Sequence, residues 1–141
     1  GVSIFELCSP DGNKMLLRTD EIEQYPHAFR NKNFFLLSCS SGKIEQREEK
    51  PIGLAGSLLC CGANQIIAPN LPISIDLAIE MVLTFFSLNP DHSSWSKTLF
   101  ESKKKLAVRN LSSSGYLGKK KGKPTPQKRS TEIDSFIHYI R

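Results

Sequence analysis

The chain has 141 residues, of which 39% are apolar and 23% charged, with a net charge of +5. That suits one globular domain and excludes a wholly disordered chain. The charge is concentrated: residues 1–101 carry 8 basic and 12 acidic side chains, and residues 102–129 carry 10 basic and none acidic. A mildly acidic body with one basic segment is not a histone-like protein, which would be basic throughout.

No apolar run reaches the length of a membrane span, so none is expected. The sequence opens on Gly1 with no basic-then-apolar leader. No signal peptide is visible there, and a start without Met is read as a processed, fragmentary or trimmed chain. The four cysteines are Cys8, Cys39, Cys60 and Cys61. Cys60 and Cys61 lie in the apolar run 53–61 and are expected to be buried thiols. No CxxC pair and no Cys/His ligand spacing occurs, so no metal or other cofactor is expected. This cysteine usage fits a reducing, intracellular, cytoplasmic setting.

Residues 1–7 alternate apolar and polar as a strand does, and Ser9-Pro10-Asp11-Gly12-Asn13 is a turn signal. Residues 14–17 continue as a second strand, giving a hairpin. Thr19 followed by Asp20 and Glu21 reads as an N-cap and acidic first turn of a short helix, ended near Tyr25 by Pro26. Phe34, Phe35, Leu36 and Leu37 form a short apolar run, expected to be a strand buried on both faces. Residues 43–50 are polar and read as an exposed loop. The small-residue apolar run 53–61 predicts a buried helix ending at Gly62, and residues 65–68 a second buried strand. Pro69-Asn70-Leu71-Pro72 follows as a rigid loop. A helix capped by Ser74 or Asp76 runs to about Asn89. A further one, capped by Ser93 or Ser94, runs from Trp95 to about Asn110. Residues 111–131 change character and read as a basic, flexible loop or tail. Residues 132–141 regain apolar side chains and return to the core as a strand or a helix. The order predicts an α/β fold with parallel strands as the default.

Cys39 is the residue with the clearest chemical reading. It stands where the apolar strand ends, followed by Ser40, Ser41 and Gly42. Ligands of open parallel sheets sit at carboxyl ends of strands, and small neighbours leave a thiol accessible and let backbone N–H groups approach a carbonyl. A nucleophilic thiolate also needs a partner, usually His. A buried structural Cys is the other reading of the same residue. His27 lies at the other end of this strand, about 20 Å away over six residues, and reads as a surface His. His92 and His138 carry no chemical case from the sequence.

The stretch Phe34-Phe35-Leu36-Leu37-Ser38-Cys39-Ser40-Ser41-Gly42 resembles the nucleophile strand of the caspase-like (clan CD) cysteine peptidases. Gly53-Leu54-Ala55, Gly62-Ala63, Ile66-Ile67-Ala68 and Asn70-Leu71-Pro72-Ile73 extend the likeness to the CHAT branch, the caspase-like domains associated with tetratricopeptide repeats. Residues 7–22 resemble the hairpin and short helix before their nucleophile strand. Cys39-Ser40-Ser41-Gly42 and Asn70-Leu71 are also similar to separase. The resemblance covers about residues 1–110. It implies a caspase-like sandwich, a mostly parallel sheet flanked by helices, and an intracellular endopeptidase switched by an attached regulatory region. It implies Cys39 as nucleophile, with its N–H helping to hold the oxyanion.

The family's general-base His stands in a His-Gly motif upstream of the hairpin, and these residues contain none. The resemblance therefore implies the C-terminal part of a peptidase domain, inactive alone, with the base on an upstream part or another chain. Relatives that cut after Lys or Arg carry Asp two residues before the Cys, where this chain has Leu37. Asn70, Leu71 and Asp76 are expected to line the substrate pocket; Asp76 also fits a plain helix N-terminal acid. The expected partners are a protein or peptide substrate and the upstream part or a regulatory chain.

Lys103, Lys104 and Lys105 stand near the end of the resemblance and Lys119, Lys120 and Lys121 beyond it, and the resemblance says nothing of this basic segment. They read as a solubilising tether or as a phosphate-contacting segment for nucleic acid or nucleoprotein, with Tyr116 the lone nearby aromatic. Besides the peptidase, two other functions fit the residues: an inert caspase-like interaction module, and a nucleic-acid contact through the basic segment.

Overall fold

The computed structural model describes residues 4–8, 11–38, 41–42, 45–47, 50–91, 94–114 and 126–141. The hairpin forms as expected, from β1 (Ile4–Cys8) and β2 (Lys14–Arg18), antiparallel with Phe5 opposite Leu17. The short helix α1 spans Thr19–Glu23. Its cap is one residue earlier than expected: Arg18 takes the N-cap position and donates its N–H to Glu21 Oε2 at 2.9 Å. Thr19 is buried instead.

The central sheet has three described strands in the order β3 (Asn33–Phe35), β6 (Gln65–Pro69), β7 (Phe136–Ile140). β3 and β6 run parallel, with Phe34 opposite Ile66, and β7 is antiparallel to β6, with Phe136 opposite Pro69. The sheet is thus mixed, where a mostly parallel one was expected. The last ten residues supply both a helix end and the returning strand. β3 has Phe34 and Phe35 covered on opposite faces, but it is an edge strand among the described residues. Leu37, just past it, is exposed.

Alternation along β6 divides the core in two. Ile66 and Ala68 face Ile22 of α1 and Ala55 and Leu58 of α2 (Leu54–Cys60). Ile67 faces Leu77, Met81 and Phe85 of α3 (Ile75–Leu88), Leu99 and Leu106 of α4 (Trp95–Ser114), and Ile133 of α5 (Pro126–Asp134). The result is a mixed α/β arrangement of three layers. Gly62 closes α2 with φ 102°, and a Cβ there would meet Arg30 N at 3.2 Å, so both backbone and space require glycine.

Three expectations change. Residues 45–47 and 50–52 form the short hairpin β4 (Glu45–Arg47) and β5 (Lys50–Ile52), not a loop; main-chain pairing needs no apolar period. α4 runs to Ser114 and α5 starts at Pro126, so the basic segment is helical at both ends, and residues 115–125 lie outside the described residues. Cys61 is buried as expected but Cys60 is exposed, because it ends α2 on the helix's outer side. No described helix is long and apolar enough to cross a membrane.

Candidate functional site at the strand ends

Cys39 and Ser40 lie outside the described residues, so the site is built from what flanks them. Leu36 donates its N–H to Ile67 O at 2.8 Å, holding the strand to β6 up to the approach to Cys39. On either side of the pair, Ser41 N–H donates to Ser38 O at 3.1 Å. Gly42 N–H then donates to Pro69 O at 2.9 Å, and the Tyr139 hydroxyl donates to Gly42 O. The segment before and after Cys39 is therefore fastened to the carboxyl end of β6 and to β7.

Gly42 is there for space. A Cβ on it would lie 2.8 Å from Ala68 O and 3.0 Å from Ala68 Cβ, closer than side-chain atoms approach. The sequence reading placed Gly42 as a small residue beside a nucleophile. Its described contact is with the strand behind, where it lets the chain lie flat on β6.

Two polar atoms at this end are buried without a hydrogen-bond partner among the described residues: Ser41 Oγ and Asn70 Oδ1. Ser41 is only 4% exposed. Such atoms usually find a partner in protein or ordered water. Asn70 is held in place by its own N–H, which donates to Ser135 O at 3.0 Å. Leu71, next to it, is exposed. Asp76 sits exposed in the first turn of α3. Of the three expected pocket residues, Asn70 and Leu71 thus stand at the carboxyl end of β6, while Asp76 is on the following helix.

Sequence reasoning missed two contributors. Glu132, 5% exposed on α5, accepts from Ser74 N–H at 3.3 Å and from Ser74 Oγ at 2.9 Å. Ser74 occupies the N-cap position of α3 but spends its hydroxyl on Glu132. Tyr139 is the other, and burial pushes its phenol up from the ordinary value. Neither carries a local signal, because each acts through a strand or helix distant in sequence. Only the apolar pattern of residues 132–141 hinted that this segment returns to the core.

The described imidazoles stand elsewhere. His27 is exposed in the turn before β3, with φ 86° and its N–H donated to Cys61 O at 3.1 Å. It precedes β3, at the opposite end of that strand from Ser38. His138, on β7, has both ring nitrogens engaged: Nδ1 lies 2.8 Å from Ser96 Oγ and Nε2 lies 3.0 Å from Gln65 Oε1. The amide oxygen can only accept, so Nε2 carries the proton and Nδ1 accepts from Ser96. Burial alone lowers this imidazole's pKa. Gln65 opens β6, so this hydrogen-bonded chain reaches toward the end of the sheet opposite Asn70. His92 lies outside the described residues.

The basic segment is partly committed to internal contacts. Lys103 Nζ donates to Asp134 O at 3.1 Å, and burial lowers its pKa. Lys104 Nζ sits 3.5 Å from Glu101 Oε2 and 5.3 Å from the centre of the Phe100 ring. Lys105 is exposed, and Lys119, Lys120 and Lys121 fall outside the described residues. Among the described residues no group of three His, Cys, Asp or Glu side chains is placed to hold a metal ion. Comparison with protein-family models, curated proteins and solved structures finds no match for this chain.

Proposed function

We propose that the chain is the C-terminal part of a caspase-like, CHAT-type cysteine endopeptidase, with Cys39 as its nucleophile. The observation that carries this reading is the position of Cys39's neighbours. Ser38, Ser41 and Gly42 are tied to one another and to Pro69 at the carboxyl ends of two parallel strands, where ligands of such sheets bind. In this reading the three-layer arrangement is one half of a caspase-like sandwich.

The Cys39 thiol gives its proton to a His, and the resulting thiolate adds to the peptide carbonyl, forming an S–C bond as the C=O π pair moves to oxygen. The Cys39 N–H stabilises the oxyanion. The C–N bond then breaks, and the same His returns the proton to the departing amine. Water hydrolyses the thioester and frees the thiol. The described imidazoles, His27 and His138, are placed elsewhere, and the family resemblance puts the base upstream of the hairpin. An attached regulatory region would control activity by aligning the two groups. Asn70 and Leu71 line the pocket for the residue next to the cut bond, with Asp76 at its margin. Ser41 Oγ and the Asn70 amide oxygen then gain hydrogen-bond partners from substrate or from the base-bearing part.

Activity-based labelling tests this. A peptidyl acyloxymethyl ketone, applied to the longest polypeptide its gene encodes, should alkylate Cys39. Cys39→Ala should abolish both labelling and peptide cleavage. A fully folded, activated protein in which Cys39 stays unmodified would overturn the reading and leave the inert interaction module in its place.

A further inference from the structure

Ser96, His138 and Gln65 meet in one hydrogen-bonded row on the face of the sheet covered by α4. Alternation along β7 puts Phe136, His138 and Ile140 on the same face, and Phe136 packs in the core shared with Leu99 and Leu106 of α4. Strand pairing sets His138 opposite Ile67, so Gln65, two residues earlier on β6, is its diagonal neighbour on that face. Ser96 Oγ lies 2.8 Å from Nδ1 of the ring, and Gln65 Oε1 lies 3.0 Å from Nε2.

This is the order of a nucleophile, its base and the group that orients the base. Gln65 takes the Nε2 proton, which leaves the Nδ1 lone pair to the Ser96 hydroxyl. Burial keeps the ring below its ordinary pKa, so it is a neutral base near pH 7. Helix capping does not account for Ser96. It is the second residue of α4, and the first N–H to bond back is that of Thr98, to Ser94 O at 3.0 Å. The N–H groups of Ser96 and Lys97 precede that bond. They have no acceptor inside the helix and lie at the end where a helix favours negative charge. Ser96 is exposed, whereas His138 and Gln65 are half-buried, so the hydroxyl is open to a ligand and the base is held from behind.

The surroundings narrow the substrate. Phe100 (60% exposed) stands one helical turn beyond Ser96, and Ile140 (67%) stands two residues beyond His138 on the same face of β7. Both suit an apolar acyl group. Gln65 fixes the tautomer of the ring, but as a neutral amide it does not stabilise an imidazolium as a carboxylate would. Such a row favours a leaving group that departs easily, and disfavours amides.

We propose that Ser96 is the nucleophile of a second site, one that accepts the acyl group of activated esters of apolar acids. The Ser96 hydroxyl gives its proton to His138 Nδ1 as Oγ bonds to the carbonyl carbon. The C=O π pair moves to oxygen, where the Ser96 and Lys97 N–H groups face it. The pair then returns, the bond to the leaving group breaks, and the imidazolium gives its proton to the departing oxygen. Water, giving a proton to the same ring, splits the acyl-Ser96 ester and restores the hydroxyl. The site stands apart from the peptidase reading. Gln65 opens β6, about 13 Å of strand from Pro69 at the end that Cys39 approaches.

Acylation of the 141-residue chain by p-nitrophenyl butyrate tests this, with peptide mapping to find the modified residue and circular dichroism to confirm the fold. A burst of p-nitrophenol close to one equivalent is expected, with the butyryl group on Ser96. Ser96→Ala should abolish that adduct, and His138→Gln should slow its formation at least 100-fold, as for loss of a general base. Gln65→Glu should speed it at least five-fold, because a carboxylate stabilises the imidazolium. A purely structural hydrogen bond predicts no such gain, and this variant decides the matter if His138→Gln does not fold. A folded chain with Ser96 unmodified overturns the proposal. So does acylation at the same rate in folded His138→Gln, or a Gln65→Glu chain that reacts no faster. Butyrylation of Cys39 alone also overturns it, while supporting the peptidase reading.

Discussion

Gly42 donates its N–H to Pro69 O at 2.9 Å, and this single bond anchors the chain just past Cys39 to the end of β6. The bond is possible because Gly42 has no side chain to strike Ala68. Gly42→Ala should cost about 1–3 kcal/mol, the usual penalty of overpacking against backbone that cannot move. Chemical denaturation measures it. In the long polypeptide the same change should also slow Cys39 alkylation, since it displaces the segment that carries the thiol.

Glu132 is a buried carboxylate held by Ser74 through its N–H and its hydroxyl. Ser74→Ala removes the hydroxyl and leaves the carboxylate with one long bond. The loss should be about 1.5–3 kcal/mol, as for other hydrogen bonds to charged groups. Ser74→Thr, which keeps the hydroxyl, should recover most of it in the same denaturation experiment.

Stability should fall on the acid side through His138. Burial holds this imidazole below the ordinary value of about 6.5. The unfolded chain therefore takes up the proton first as pH drops. The contribution of His138 is complete above about pH 6.5 and is lost progressively below it. Urea midpoints taken at successive pH values should show this slope, and His138→Gln should flatten it.

Cys60 and Cys61 should separate cleanly under a thiol reagent. Cys60 is exposed, whereas Cys61 is buried, donates Sγ–H to Ile22 O at 3.2 Å, and has its pKa raised by that burial. Peptide mapping after brief iodoacetamide treatment near neutral pH should find Cys60 alkylated at least ten-fold faster than Cys61.

The elements with strong local signals were legible in the sequence. The hairpin, the small-residue helix α2, the strand β6 and the helix α3 are set by turn residues, apolar period and glycine. What was not legible depends on partners far along the chain. Cys60 and Cys61 share one apolar run, yet the helix end turns one of them outward. Residues 43–50 lack any apolar period, and the hairpin of Glu45–Arg47 with Lys50–Ile52 is defined by main-chain pairing that no such period announces. At the candidate site, Asn70 and Leu71 were readable because they follow a strand. Glu132 and Tyr139 were not, because α5 and β7 return from the far end of the chain to reach Ser74 and Gly42 respectively. The antiparallel direction of β7 follows from the same return and has no local code.

The most direct measurement is mass-spectrometric detection of Cys39 modified by a peptidyl acyloxymethyl ketone in the longest polypeptide its gene encodes. The expected result is stoichiometric alkylation of Cys39 ahead of Cys8, Cys60 and Cys61, removed by Cys39→Ala. Modification spread among the exposed thiols with Cys39 untouched would contradict the assignment of Cys39 as a nucleophile.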